Sequence, residues 1–172
     1  LYMHDQEAKL APKGNPGNDI FIGNTKVSLK TQADKYIKEN HLWISKFMEL
    51  GKGNWSDNPK DLHNLRNQFL DHLKNYERIL ILRTILKKPD WHYELVEIPI
   101  ELLKEAKEGE LEMKLDSTQF PKPGYCYVTD SKGNLKYQLY FDGGSERKLQ
   151  VKKLLKKHCK VHCEWKFTIR QQ

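Results

Sequence analysis

Apolar residues recur along this chain with two different periods, and the period separates helix from strand. From Pro59 to Tyr76 the positions Leu62, Leu65, Phe69, Leu73 and Tyr76 lie three or four residues apart. That spacing puts them on one face and predicts an amphipathic helix. Asp57 or Asn58 can cap its start, and Pro59 is pre-set for the first turn. Elsewhere the apolar runs are short and rich in branched or aromatic residues, as strands favour. DIFIG and TKVSLKT are two such runs, and the GNT around their junction reads as a tight hairpin turn. ILILRTIL predicts a buried strand, followed by a KKPD turn and a second strand, HYELVEI. A short helix is expected over 99–108, with Pro99 at its start. YCYVTD and LKYQLYF predict strands joined through Ser131, Lys132, Gly133 and Asn134. DGGSER then leads into an expected basic helix ending near His158, and KVHCEWKFTI into a closing strand. The first dozen residues read as the end of a helix that includes Glu7, ahead of an exposed Pro/Gly loop, APKGNPGN.

Strands and helices alternate, with hairpins inserted, so the expected class is α/β or α+β around a mixed sheet. A chain of 172 residues suits one domain, 1–172. It opens at Leu1 rather than Met, so upstream residues are expected, with this domain as the C-terminal part of a longer protein. Charge narrows the partners. The formal net charge is +7, which favours polyanions such as nucleic acid or anionic membrane. No apolar run approaches the roughly 18–20 residues of a spanning helix, and the opening LYMHDQEAKL lacks a signal-peptide pattern. Nucleic acid is therefore the expected partner, and membrane is not. Three cysteines, Cys126, Cys159 and Cys163, make an odd count that argues against a secreted disulfide scaffold. A reducing, intracellular compartment is expected.

The hairpin carries the candidate chemistry. With Asp19 heading one strand and Ser28, Leu29 and Lys30 on its partner, alternation turns Ser28 and Lys30 one way and Leu29 the other. The turn folds that partner beside Asp19, so a carboxylate, a lysine and the Leu29 carbonyl converge. Carboxylate and carbonyl oxygens are hard ligands that suit Mg²⁺. A lysine beside a metal-bound water can orient it or take its proton. Spacing alone leaves Asp19 equally able to cap a turn and Lys30 to be a solvated strand residue.

Asn18-Asp19 at a strand head, followed by Val27-Ser28-Leu29-Lys30-Thr31 on the next strand, resembles the active-site hairpin of PD-(D/E)XK nucleases. The resemblance covers about fifteen residues. It implies a central mixed β-sheet flanked by helices, as in restriction endonucleases, and Mg²⁺-dependent cleavage of double-stranded DNA. It implies Asp19 as metal ligand, Lys30 as catalytic lysine and Leu29 as donor of a ligating carbonyl. It further implies a type II restriction enzyme, cytoplasmic in a prokaryote and able to act as a homodimer on a palindromic site. One departure stands out: Ser28 occupies the place of the family's second acid. The replacement is expected from elsewhere, Glu39 first, then Glu49 or Glu7.

A second segment, Gly143-Gly144-Ser145-Glu146-Arg147-Lys148, opens the expected basic helix. Ser145 would be its N-cap, at a helix start that suits phosphate, or Arg147 would alternatively make a bidentate contact to guanine, with Lys148, Lys152 and Lys156 forming a basic stripe. Asn15, Asn18 and Gln32 are further expected DNA contacts. His158, Cys159, His162 and Cys163 have spacings that zinc can use on a helix. No second ligand pair accompanies them, so the cysteines are read as structural. The competing function is a basic DNA- or RNA-binding module without catalysis, which needs no acid beside Asp19 and Lys30.

Overall fold

The computed structural model describes residues 7–12, 17–33, 37–51, 53, 55–87 and 89–168, with the backbone alone for Leu86 and Lys87. The strands are β1 (Ala8–Leu10), β2 (Ile20–Ile22), β3 (Thr25–Gln32), β4 (His41–Glu49), β5 (Arg78–Lys87) and β6 (Asp90–Ile98). After them come β7 (Glu110–Met113), β8 (Gly124–Thr129), β9 (Leu135–Asp142), β10 (Lys148–Leu155) and β11 (Lys160–Thr168). Helix α1 (Asp61–His72) runs into a 3₁₀ turn at Leu73–Asn75, and α2 (Ile100–Lys104) into another at Glu105–Glu108.

Two sheets result. One is six-stranded and mixed, in the order β1-β2-β3-β5-β6-β11, with β3 and β5 parallel. The other is five-stranded and antiparallel, in the order β4-β10-β9-β8-β7. The principal core joins both. Ile79, Ile81, Val96 and Ile98 come from the first sheet, Leu42, Ile44, Leu139, Phe141 and Val151 from the second. Leu62, Leu65, Phe69 and Leu73 of α1 belong to the same core. The three-and-four spacing of the sequence is therefore a packing face, as expected. Asn58 serves the start of that helix, its side-chain oxygen accepting from the Lys60 amide at 3.1 Å.

The class is mixed α+β, as expected, and the hairpins β2–β3, β5–β6 and β8–β9 fall where the sequence placed them. Pro99 precedes α2, and β11 closes the described chain. Two expectations are corrected. The segment holding Glu7 leads into strand β1 rather than ending a helix. The basic helix is strand β10, so Ser145 caps no helix and the lysines form no helical stripe. Its ladder slips between Leu149 and Val151 and again between Val151 and Leu154, and Lys153 has φ of 53°. Those irregularities break the two-residue period, leaving Val151, Leu154 and Leu155 at spacings that imitate a helix. No helix among the described residues is long and apolar enough to cross a membrane.

Candidate active site

The β2–β3 hairpin turns at Gly23, whose φ of 58° is readily adopted only without a side chain. Its register sets Ile20 opposite Val27, and the Asp19 amide donates to the Val27 carbonyl at 2.9 Å. Asp19 therefore lies beside Ser28 and Leu29. Its Oδ2 accepts from the Leu29 amide at 2.6 Å and from the Ser28 hydroxyl at 3.2 Å. Hydrogen bonds to an ionised carboxylate are among the stronger ones, and two of them fix its orientation. Ser28 thus anchors the acid, although it cannot supply a charge. Oδ1 accepts from no described residue, and Asp19 is exposed.

Lys30 shares the Ser28 face of β3. Its ammonium lies 5.6 Å from the centre of the Phe47 ring on β4. Phe47 in turn meets His72 and Tyr76, with ring centres 6.1 and 6.4 Å away. Burial among these rings pulls the Lys30 pKa below its ordinary value, while the Asp19 charge pulls the other way. The same surroundings lower His72, through burial first and the nearby Lys30 charge second. A carboxylate and a lysine with a weakened hold on its proton stand together at the junction of the two sheets.

The other expected residues are distributed differently. Gln32 is buried, and its Oε1 accepts from the Trp43 amide and from Arg83 Nε, each at 3.3 Å. Asn18 is buried too, with its amide donating to the Ile20 carbonyl at 3.4 Å. Both are interior residues of the scaffold rather than surface contacts. Asn15 lies outside the described residues. Glu39 does not join Asp19: its carbonyl accepts from Arg83 Nη1 at 3.1 Å, and it borders a cavity with Asp90, Trp91, His92 and Phe167. That cavity lies over β6 and β11, two strands or roughly 10 Å across the sheet from β3. Glu49 pairs with Lys46 at 2.7 Å, and Glu7 with Lys9 at 3.1 Å near the turn end of the hairpin.

Among the described residues, one group of three metal-ligating side chains is within mutual reach: His92, Glu94 and Glu164, inside 4.8 Å. It does not include Asp19. Both Glu94 oxygens are already paired, Oε2 with Arg83 at 2.7 Å and Oε1 with Lys156 at 2.8 Å. Two cations on that carboxylate oppose a third. No cysteine belongs to the group, and Cys126, Cys159 and Cys163 are free thiols. Burial pushes Cys159 up to about 12 and Cys126 up to about 11, as inert structural cysteines require.

Ser145 and Arg147 occupy the turn between β9 and β10, beside a shallow cavity of about 360 Å³ that Gln119 and Phe120 also line. The Gly144 amide donates to Asp142 Oδ1 at 3.0 Å, and Gln150 Nε2 to Asp142 Oδ2 at 3.1 Å. Lys148 is paired with Glu146 at 2.9 Å. Lys152 rests on aromatic rings, 3.7 Å from the centre of Tyr140 and 5.2 Å from that of Trp43. Tyr76, His72 and Phe47 were not foreseen as site residues. In the sequence Tyr76 marks only the packing face of a helix, and His72 and Phe47 carry no signal of their own.

With this geometry in place, likeness to known proteins is informative. The sequence matches the family described as SmaI, type II site-specific deoxyribonuclease, over residues 3–167. A relative from Serratia marcescens, the type II restriction enzyme SmaI, is 51% identical over 156 residues. The match takes in 90% of this chain and 61% of that relative, so the chain spans about three fifths of the relative's length. No solved structure matches. A family match running through the hairpin, both sheets and α1 decides the assignment: this chain belongs to the SmaI family of type II site-specific deoxyribonucleases.

Proposed function

We propose that residues 1–172 are a nuclease domain that hydrolyses the phosphodiester backbone of double-stranded DNA at a specific sequence, with Mg²⁺. The observation that carries this reading is the convergence of Asp19 and Lys30 on one face of the β2–β3 hairpin, with Asp19 held by Ser28 and Leu29. The relative is described as a restriction enzyme, and the +7 net charge suits a polyanionic duplex.

The donor set fits a hard divalent cation. Asp19 offers one oxygen that no described residue engages, and the Leu29 carbonyl is a second hard donor nearby. Mg²⁺ can be held by one or two carboxylates together with substrate phosphates. With Glu39 beside Arg83, Asp19 is proposed as the carboxylate that would hold the ion, together with the Leu29 carbonyl. When bound, such an ion would stabilise charge developing on the phosphate and acidify a water. Lys30 would accept a proton from the attacking water at its Nζ or fix the direction of attack, a role its lowered pKa favours. Ser28 keeps the carboxylate in register throughout.

Arg147 is proposed to read a base, because it lines an open cavity at the turn between β9 and β10. Ser145 and the lysines at 148 and 152 would approach the backbone. We further propose an intracellular, prokaryotic setting and a homodimer matched to a palindromic site. A divalent-metal titration of duplex binding tests the reading. Affinity for Mn²⁺ should be weak without DNA and strengthen by tenfold or more with it, since phosphate supplies part of the ligation. Metal binding indifferent to DNA would contradict the single-carboxylate arrangement.

A further inference from the structure

Tyr76 sits between the 3₁₀ turn that ends α1 and the start of β5, next to the hairpin. The Glu77 amide donates to the Lys26 carbonyl at 2.9 Å, and Glu77 Oε2 accepts from the Lys26 amide at 3.0 Å. These two bonds fix the Tyr76 backbone against the edge of β3. Gly17, two residues before Asp19, packs so closely on Asn75 that a Cβ there would lie 2.5 Å from the Asn75 Cβ. The Tyr76 ring is 3% exposed and lies edge-on to Phe47 and to His72, 6.4 and 5.6 Å between centres. Phe47 is the ring beneath the Lys30 ammonium.

In this setting the Tyr76 hydroxyl is buried and has no hydrogen-bond partner among the described residues. A buried hydroxyl without a partner costs stability, and such exceptions call for an explanation in what the site binds. Burial first, and the Asp19 charge second, push the phenol pKa upward. The group therefore stays protonated and can donate. A phenylalanine would fill the same space at no such cost, so packing does not account for the oxygen.

We propose that Tyr76 is a further residue of the Asp19–Lys30 site, its hydroxyl donating to the water or phosphate oxygen that lies between them when DNA and a divalent cation are bound. The proposal rests on the nuclease reading and adds a donor that the hairpin motif does not contain. It gives the buried hydroxyl the partner it lacks and holds the oxygen that Lys30 faces. His72 and Phe47 exclude bulk water from the same side.

Tyr76→Phe tests this through measurements other than turnover. We use Ca²⁺ as the probe and follow its effect on duplex DNA affinity, alongside thermal unfolding of the metal-free protein. The variant is expected to melt no lower than wild type, because the hydroxyl it loses is unpartnered. The Ca²⁺ concentration that half-maximally tightens DNA binding should rise about tenfold, the usual cost of losing a group that supports metal ligation. A variant that melts several degrees lower, or one whose Ca²⁺ response equals that of wild type, would overturn the assignment. Wild-type DNA binding that ignores both Ca²⁺ and Mg²⁺ would instead overturn the nuclease reading, and this inference with it.

Discussion

At the scale of single residues, Lys30 shows the tension between stability and chemistry. Burial lowers its pKa in the folded chain, so between that value and 10.5 the folded state binds fewer protons than the unfolded one. Stability therefore rises with pH through that window, and at neutral pH the buried charge is a cost. Lys30→Met should raise the melting temperature at pH 7 and flatten the alkaline rise, while abolishing cleavage and leaving DNA affinity within a few-fold. Loss of binding in step with cleavage would assign Lys30 to holding the duplex. Glu97 behaves in the opposite sense. Its bidentate bond to Arg78, with His162 adding to it, lowers its pKa to about 2 from 4.5. That pairing stabilises the fold above pH 4.5 and is lost as the pH falls toward 2. Acid unfolding of Glu97→Gln should thus show a smaller pH dependence in this window, the two proteins converging near pH 2. The Asp19–Ser28–Lys30 arrangement was legible in the sequence because strand alternation fixes which residues share a face. Tyr76 was not, because whether a packed hydroxyl has a partner depends on neighbours distant in the chain.

At the scale of elements, the hairpin β9–β10 matters most. Strand β10 reads as a helix because its two register slips and the left-handed Lys153 set apolar residues three and four apart. Periodicity sees spacing and cannot see a bulge. Strand β4 carries no steady period for a related reason: Leu42 and Ile44 alternate, then Phe47 falls out of step. The longer helix α1 and the regular strands β5 and β6 gave unambiguous patterns. The β9–β10 turn packs closely at its start, where a Cβ at Gly143 would lie 1.9 Å from the Pro121 carbonyl oxygen. Gly143→Ala should therefore cost roughly 1–3 kcal/mol in denaturant unfolding, as overpacking does. Arg147→Ala, in the same turn, tests function. If Arg147 reads a base, cognate DNA should weaken by roughly 1–3 kcal/mol and random DNA much less. Equal weakening of both, with a shallower salt dependence, would make it a phosphate contact.

At the scale of the whole molecule, the mixed class followed from alternating strands and helices, but the division into two sheets did not. Nothing local distinguishes a strand of one sheet from a strand of the other; the shared core decides it. That division has a consequence for the site. Asp19 and Lys30 come from the mixed sheet, Phe47 from the antiparallel one, and Tyr76 from the link between α1 and β5. The activity proposed for this junction is cleavage of duplex DNA at one sequence with a divalent cation. Digestion of a long DNA of known sequence, with mapping of every end, tests it most directly. Mg²⁺ should give discrete fragments whose ends share one sequence, with EDTA, Asp19→Asn or Lys30→Ala leaving the DNA whole. DNA that stays intact with Mg²⁺, while binding persists in EDTA, would contradict the account and leave a binding module.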